Sequence, residues 1–400
     1  MFELIRSNQR RSALLAAGMA GLLLVAGYAL GETVEAGSGL VGLAFGLGLW
    51  ALLAGVAYSS GDSIFLGLAG ARRIRKEDHP VLFNVVEEMG IAAGLARIPE
   101  IYVIDQEAPN AFATGRGPER ASLAFTAGLL ERLDRDELQG VVAHELAHVR
   151  NRDVLFLMML GAMAGAVVIL ADLGRRFLWL SGPRRRTSDK AGGAGAIIVL
   201  LALVLMILAP LLAQLLYLAV SRRREYLADA CGAQFTRYPE GLARALEKIG
   251  SSPATLQGVS RAMAPMYTHD PLRSRSSGEA SAWGSTHPPL EERIRILRSM
   301  AGAASLAGYD EAFRAVTRRA VGVVPASALA EEGGRAGSRG AQADPRSRLD
   351  RVRETTDVFW RLKGYAFLPC ACGTRLKVPP AYRGQVLDCP HCGQRLQVPA

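Results

Sequence analysis

The sequence predicts a mainly helical α+β protein in which four transmembrane helices accompany a compact domain of mixed helix and strand, with a small metal-binding module closing the chain. Three observations predict this. Four long runs lack any charged side chain, a stretch of mixed patterning lies between the second and third of them, and four of the five cysteines crowd between residues 370 and 392. Half of the 400 residues are hydrophobic, an excess concentrated in those runs rather than spread along the chain.

The first two runs, residues 13–30 and 38–61, are each about long enough to cross a ~30 Å hydrocarbon layer as a helix. Residues 154–171 and 191–220 meet the same length test, with Pro210 expected to kink the last. The basic leader before the first run would also suit a cleaved signal peptide, but a second full-length run follows within a few residues. Arg6, Arg10 and Arg11 precede the pair and Arg72, Arg73, Arg75 and Lys76 follow it, so both flanks are expected on the cytoplasmic side. The segment holding Arg175, Arg176, Arg184, Arg185, Arg186 and Lys190 runs against that bias if the third and fourth runs both cross.

The net charge of +10 suits loops anchored to anionic lipid, and no nucleic-acid partner is expected. Five cysteines, so clustered, do not make a disulfide scaffold. They read as metal binding in a reducing compartment.

Between the second and third runs, apolar periodicity predicts a helix over 77–96. Strand patterns follow at 100–105, 110–114 and 121–126, the last two separated by the turn-rich Gly115–Pro118, and a small antiparallel sheet is expected. Asp134 with Glu137 forms a capping-box pattern that starts a helix at about Arg135 running to Asp153. Further helices are expected over 222–235 and 239–249, then a loop-rich stretch over 251–289. Beyond residue 330 the Gly, Ala, Ser and mixed charge read as a linker.

On the 135–153 helix, His144 and His148 are four residues apart, so both imidazoles project from one face toward a single ion. Glu145 is offset by one residue, which puts its carboxylate beside the metal, where it can accept a proton from water and pass it to a leaving amine. A catalytic zinc usually takes three protein ligands and keeps the fourth position open. A Glu, Asp or His from elsewhere must therefore complete the set. Glu225 is the best candidate, because Asp229 lies one helical turn later on the same face and could orient a ligand histidine.

His144-Glu-Leu-Ala-His148, the Glu225 and Asp229 pair, Asn110-Ala-Phe-Ala and Thr286-His-Pro-Pro-Leu-Glu-Glu-Arg293 together resemble the HtpX-type membrane zinc metalloproteases. The resemblance covers most of residues 1–300. It implies a gluzincin fold, a cytoplasm-facing active site in the bacterial inner membrane, and proteolysis of misfolded or damaged membrane proteins. It also implies His144, His148 and Glu225 as zinc ligands, Glu145 as catalytic base and Asp229 as orienter. By the same resemblance Asn110 is expected to bind substrate backbone and His287 to help stabilise the oxyanion. Polypeptide substrate should lie extended along the sheet edge near 110–126, bound through main-chain hydrogen bonds.

Cys370-Ala-Cys372 and Cys389-Pro-His-Cys392 are two metal knuckles, and the second Cys of each opens a matching Cys-Gly-x-Arg-Leu-x-Val-Pro segment. The pattern is that of a zinc ribbon, except that the first pair has one intervening residue instead of two. A module this small has no room for a sizeable core, so the metal must supply much of its folding energy. The expected organisation is two transmembrane helices over 1–71, a metallopeptidase domain over 72–330, a linker over 331–364 and a ribbon over 365–400, with one catalytic and one structural zinc. A processing peptidase of the prenyl-protein type and a non-catalytic membrane scaffold are the alternatives. The intact Glu145 argues against the scaffold, which would need the ligands and not the base.

Overall fold

The computed structural model describes residues 37–155, 222–259, 263–269, 287–300, 302–331, 337–342 and 344–399, with scattered helical residues between 6 and 32 and between 157 and 161. The runs 154–171 and 191–220, expected as the third and fourth spans, lie almost wholly outside the described residues.

Among the described residues one helix, α1 (Gly39–Leu68), is long and apolar enough to cross a membrane. Leu40, Val41, Phe45, Leu52 and Leu68 stand exposed along it, as lipid-facing side chains would. A shorter apolar helical stretch, Ala16–Val25, precedes it. The two approach at a glycine: a Cβ on Gly46 of α1 would lie 2.5 Å from the Leu23 carbonyl oxygen. Glycine allows apolar helices to pair by close van der Waals contact where lipid removes any hydrophobic drive between them.

The last turns of α1 bury Phe65 and Leu66 with Ile104, Phe112 and Ala124, against one face of a sheet. The sheet comprises β1 (Arg72–Arg73), β2 (Glu100–Ile104), β3 (Ala111–Gly117) and β4 (Arg120–Thr126), in the order β1-β2-β4-β3. It is mixed rather than antiparallel as the sequence suggests. The β3–β4 hairpin and the β1–β2 pair are antiparallel, but β2 and β4 run parallel, with Ile101 opposite Leu123. Strand β4 is buried from Ala121 to Thr126, and a strand buried on both faces belongs at the centre. Its hairpin partner β3 is thereby left as the edge.

Helix α2 (Pro80–Ala92) is capped by His79, whose Nδ1 accepts from the Leu82 N–H at 3.2 Å. The short α3 (Ala127–Arg132) leads into α4 (Arg135–Arg150), where the expected capping box is present: Glu137 N–H bonds Asp134 Oδ1 at 3.0 Å and Asp134 N–H bonds Glu137 Oε2 at 2.8 Å. This helix is buried nearly end to end, packed between α2, the β3 edge, α5 (Arg222–Thr236) and α6 (Pro239–Ser251). Gly232 lets α5 come close, since a Cβ there would meet the His144 main-chain nitrogen at 3.3 Å. Helices α7 (Leu290–Arg298), α8 (Leu306–Thr317) and α9 (Ala326–Glu331) complete this body.

The composition that suggests a linker over 331–364 conceals α10 (Arg348–Leu362), started by a Ser347–Asp350 capping box and burying Thr355, Val358 and Phe359. Ahead of it, Arg339 donates to Asp136 Oδ1 at 2.8 Å, Gln139 Oε1 at 2.6 Å and the Thr236 carbonyl at 3.0 Å. Asp344 accepts from the Arg135 N–H at 3.1 Å. This stretch holds the start of α4 through main-chain groups and a few long polar side chains, so it carries no apolar signature. The chain ends in two hairpins, β5 (Ala366–Pro369) with β6 (Arg375–Val378) and β7 (Val386–Asp388) with β8 (Arg395–Gln397), sharing a small core of Leu368, Val378 and Val398.

Candidate active site

Helix α4 presents His144 and His148 on one face, and α5 lays Glu225 across from them. The two Nε2 atoms are 3.2 Å apart, and each lies 3.6 Å from a different carboxylate oxygen of Glu225. Among the described residues Glu225 Oε2 is buried without a hydrogen bond. A tetrahedral zinc with ligands at about 2.0–2.2 Å sets ligand atoms roughly 3.3–3.6 Å apart, so the three groups fit that ion. A buried carboxylate oxygen lacking a donor is costly, and a cation between these atoms would remove the cost.

Each histidine is turned by its own carboxylate. Asp229 Oδ1 lies 3.0 Å from His144 Nδ1, and Asp153 Oδ2 lies 3.0 Å from His148 Nδ1. With Nδ1 engaged outward, Nε2 of each ring points inward, the arrangement by which carboxylates fix the tautomer of a metal-binding histidine. Asp153 reaches His148 because Asn151 and Arg152, the latter at φ 56°, turn the chain back at the end of α4. Arg293, fully buried on α7, grips Asp229 with both arms at 2.7 and 2.8 Å and comes within 3.7 Å of Glu225 Oε2.

The site thus gathers four buried carboxylates, Glu145, Asp153, Glu225 and Asp229, and one buried guanidinium, which reaches the last two. Burial by itself lowers the pKa of His148, but Asp153, with Glu225 and Glu145, outweighs it and lifts the ring to about 10. For Glu225 burial opposes ionisation, yet His287, His144 and His148 draw its carboxyl well below the usual range. The surplus negative charge that favours a proton on these rings equally favours a divalent cation between them.

Glu145 is buried beside the histidines, and its Oε1 accepts from the Thr268 hydroxyl at 2.6 Å. His287, at the Pro288–Pro289 entry to α7, is buried with Nε2 3.9 Å from Glu225 Oε2. Asn110 is buried just before β3 and its amide clasps the main chain of His269: Nδ2 donates to the His269 carbonyl at 2.9 Å and Oδ1 accepts from the His269 N–H at 3.3 Å. Sequence reasoning missed Asp153, Arg293 and Thr268. Arg293 carried a signal as the last residue of the Thr286–Arg293 pattern, and Asp153 a weaker one as an acid just past the helix end. Thr268 carried none.

In the terminal module the four cysteine sulfurs gather at one point, with Cys370 Sγ 3.4 Å from Cys392 Sγ and Cys372 Sγ 3.8 Å from Cys389 Sγ. Zinc–thiolate bonds of about 2.3 Å imply sulfurs roughly 3.8 Å apart in a tetrahedron. The one-residue difference between the knuckles is absorbed in the turns: Gly373 N–H bonds the Cys370 carbonyl, whereas Gly393 N–H bonds the Cys389 carbonyl one residue further back. The Thr374 hydroxyl, 3.3 Å from Cys372 Sγ, draws that thiol below its ordinary range, whereas contacts with the neighbouring thiols hold Cys370 and Cys392 above theirs.

The profile of Peptidase family M48 matches residues 77–301. The chain is similar to the protease HtpX homolog of Thermoanaerobacter pseudethanolicus, 39% identical over 301 residues, which is 75% of this chain and 98% of that relative. The protease HtpX homolog of Dictyoglomus turgidum is 42% identical over 299 residues, covering 75% of this chain and 94% of its own. That of Streptococcus equi subsp. equi is 40% identical over 276 residues, 69% and 90% of the two chains. A solved structure, the crystal structure of S. mikatae Ste24p, aligns with 74% of this chain and 67% of its own at 18% identity and a TM-score of 0.39.

Proposed function

The chain belongs to peptidase family M48, and from that premise we propose that it is a membrane-bound zinc endopeptidase that cuts misfolded or damaged membrane proteins. It is a metalloprotease acting on polypeptides. The finer reading places it in the bacterial inner membrane as a multi-pass protein with a cytoplasmic active site. The glycine-mediated approach of the leading helix to α1 and the arginines flanking that pair support two spans over 1–71. The runs 154–171 and 191–220 would supply two more within a peptidase domain over 72–330.

His144, His148 and Glu225 would hold the catalytic zinc, which when bound supplies a Lewis acid for the scissile carbonyl and makes water acidic enough to react near neutral pH. Glu145 accepts the proton of the attacking water and hands it to the departing amine. Asp229 and Asp153 keep the imidazoles in the tautomer that points Nε2 inward, and Arg293 holds Asp229 ionised in its buried place. His287, beside Glu225, stabilises the oxyanion as the carbonyl is attacked. Asn110 reads main chain: it already clasps the main chain of His269, and β3 offers the sheet edge along which an extended substrate lies. Cys370, Cys372, Cys389 and Cys392 would hold a second, structural zinc, giving two ions per chain.

The observation that carries this reading is the Glu225 carboxylate set 3.6 Å from each of two inward Nε2 atoms, one against each oxygen, with its Oε2 lacking a hydrogen bond among the described residues, a spacing that fits zinc. Glu145→Gln should abolish hydrolysis of an unstructured peptide while zinc content stays at two per chain. Turnover by the purified variant would refute the assignment of the base.

A further inference from the structure

The position that the proposed substrate strand would occupy is filled by the chain itself. β3 is the edge of the sheet, and an edge strand offers unpaired main-chain groups to any extended segment. At Phe112 that edge is taken by Tyr267 in an antiparallel bridge, and the Thr268 N–H donates to the Ala111 carbonyl at 2.9 Å. The Tyr267 ring packs edge-on against Phe112 at 5.1 Å between centroids. Met263, Tyr267 and Thr268 are each no more than 3% exposed, so no room remains for a second strand there.

The same segment engages the base. The Thr268 hydroxyl lies 2.6 Å from Glu145 Oε1 and 3.0 Å from the Ala111 carbonyl. A hydroxyl has one proton, and the shorter contact, to a carboxylate, takes it. Two further residues of the site hold this segment: Arg293 Nη1 donates to the Thr268 carbonyl at 3.4 Å, and the Asn110 amide clasps the N–H and the carbonyl of His269.

We infer that Tyr267–His269 is a built-in latch that occupies the substrate edge and the catalytic base, and that hydrolysis begins when an extended segment of substrate displaces it. The inference rests on the reading of Glu145 as base and β3 as substrate edge. Most of the latch's bonds are made by its main chain to Ala111, Asn110 and Arg293, and any peptide main chain can reproduce them. Exchange of one strand for another therefore costs few hydrogen bonds. The chain that displaces the latch must offer several consecutive residues with unpaired main-chain N–H and C=O groups, a condition that unfolded polypeptide meets and the interior of a helix or sheet does not. The latch thus restricts substrates to segments already unfolded, and while it is closed it lowers the competent fraction of the enzyme.

The test uses the full chain in detergent. Hydrogen exchange at the Thr268 amide should be slow in the enzyme alone and should speed up about tenfold or more when a peptide hydroxamate fills the site, because the bond to Ala111 is replaced. Thr268→Val removes the hydroxyl proton from Glu145 while keeping the side-chain shape, and kcat/KM for an unstructured peptide should rise about three- to tenfold, the worth of one such hydrogen bond. An amide that stays equally protected with the hydroxamate bound, or a Thr268→Val enzyme slower than the parent, would overturn the latch and make Thr268 a positioning residue for Glu145. Glu145→Gln in the same assay separates the two readings: turnover by that variant refutes the base itself, whereas an inactive Glu145→Gln beside an unaccelerated Thr268→Val refutes the latch alone.

Discussion

The two clusters that could hold a metal ion are built in opposite ways. In the terminal module all four cysteines fall within one short stretch, and the buried apolar core is Leu368, Val378 and Val398. The main-chain hydrogen bonds there include those of the knuckle turns and hairpins. At the peptidase site the groups facing one another come from α4 and α5, and their supports Asp153 and Arg293 from two further segments, all inside one large core. A cluster assembled from local turns relies on its ion to fold, whereas a cluster assembled by a core exists before the ion arrives.

That contrast is tested most severely in the ribbon. Cys389→Ser should unfold residues 365–400 altogether, since zinc binding of about 10–16 kcal/mol stands in for the missing core. Zinc content should drop by one per chain while cleavage of a small soluble peptide persists. Loss of all peptidase activity would show that the modules are not independent.

At the other site a single support should cost far less. Asp153→Asn leaves the helices and the three facing groups in place but loosens His148, and zinc affinity measured by competition with a chelator should fall about 10–100-fold. Unchanged affinity would remove Asp153 from the site.

The strap before α10 qualifies the independence of the two regions. Arg339→Ala leaves the buried Asp136 without its ion pair, which should lower the stability of the peptidase domain by about 1–2 kcal/mol, after discounting for the partly exposed guanidinium. A chain cut at Gly364 keeps this strap and should melt near the full-length peptidase domain, whereas a chain cut at Gly337 should melt several degrees lower.

The smallest effect lies where α2 meets α10. Burial depresses the pKa of His79 below its ordinary 6.5, against the opposing pull of Glu354 on α10. Its Nδ1 caps α2 by accepting a hydrogen bond, which only the neutral ring can do. The unfolded chain therefore takes up its proton first as pH falls, and the contribution of His79, complete above about 6.5, is lost as pH drops through the lower folded value. His79→Asn, which can cap without titrating, should flatten the stability profile below pH 6.5. A profile of unchanged slope would place the acid sensitivity elsewhere.

The sequence by itself determined whatever depends on neighbours along the chain. The four-residue spacing of His144 and His148 puts both on one helical face, the Asp134–Glu137 box starts their helix, and the paired knuckles bring four thiols together. The length and apolarity of α1 were equally plain. Tertiary structure alone decided what depends on distant segments meeting. The central position of β4 follows from burial on both faces, and that leaves β3 at the edge. Asp153 reaches His148 only because the chain turns at Arg152, Arg293 reaches Asp229 across 64 positions, and Thr268 reaches Glu145 across 123. The helix inside the supposed linker was hidden because few of its residues are buried, and they matter only against the surface of α3. Local periodicity writes itself into the order of residues, but a hydrogen bond between remote polar groups leaves no mark there, since either partner alone reads as an ordinary solvated side chain.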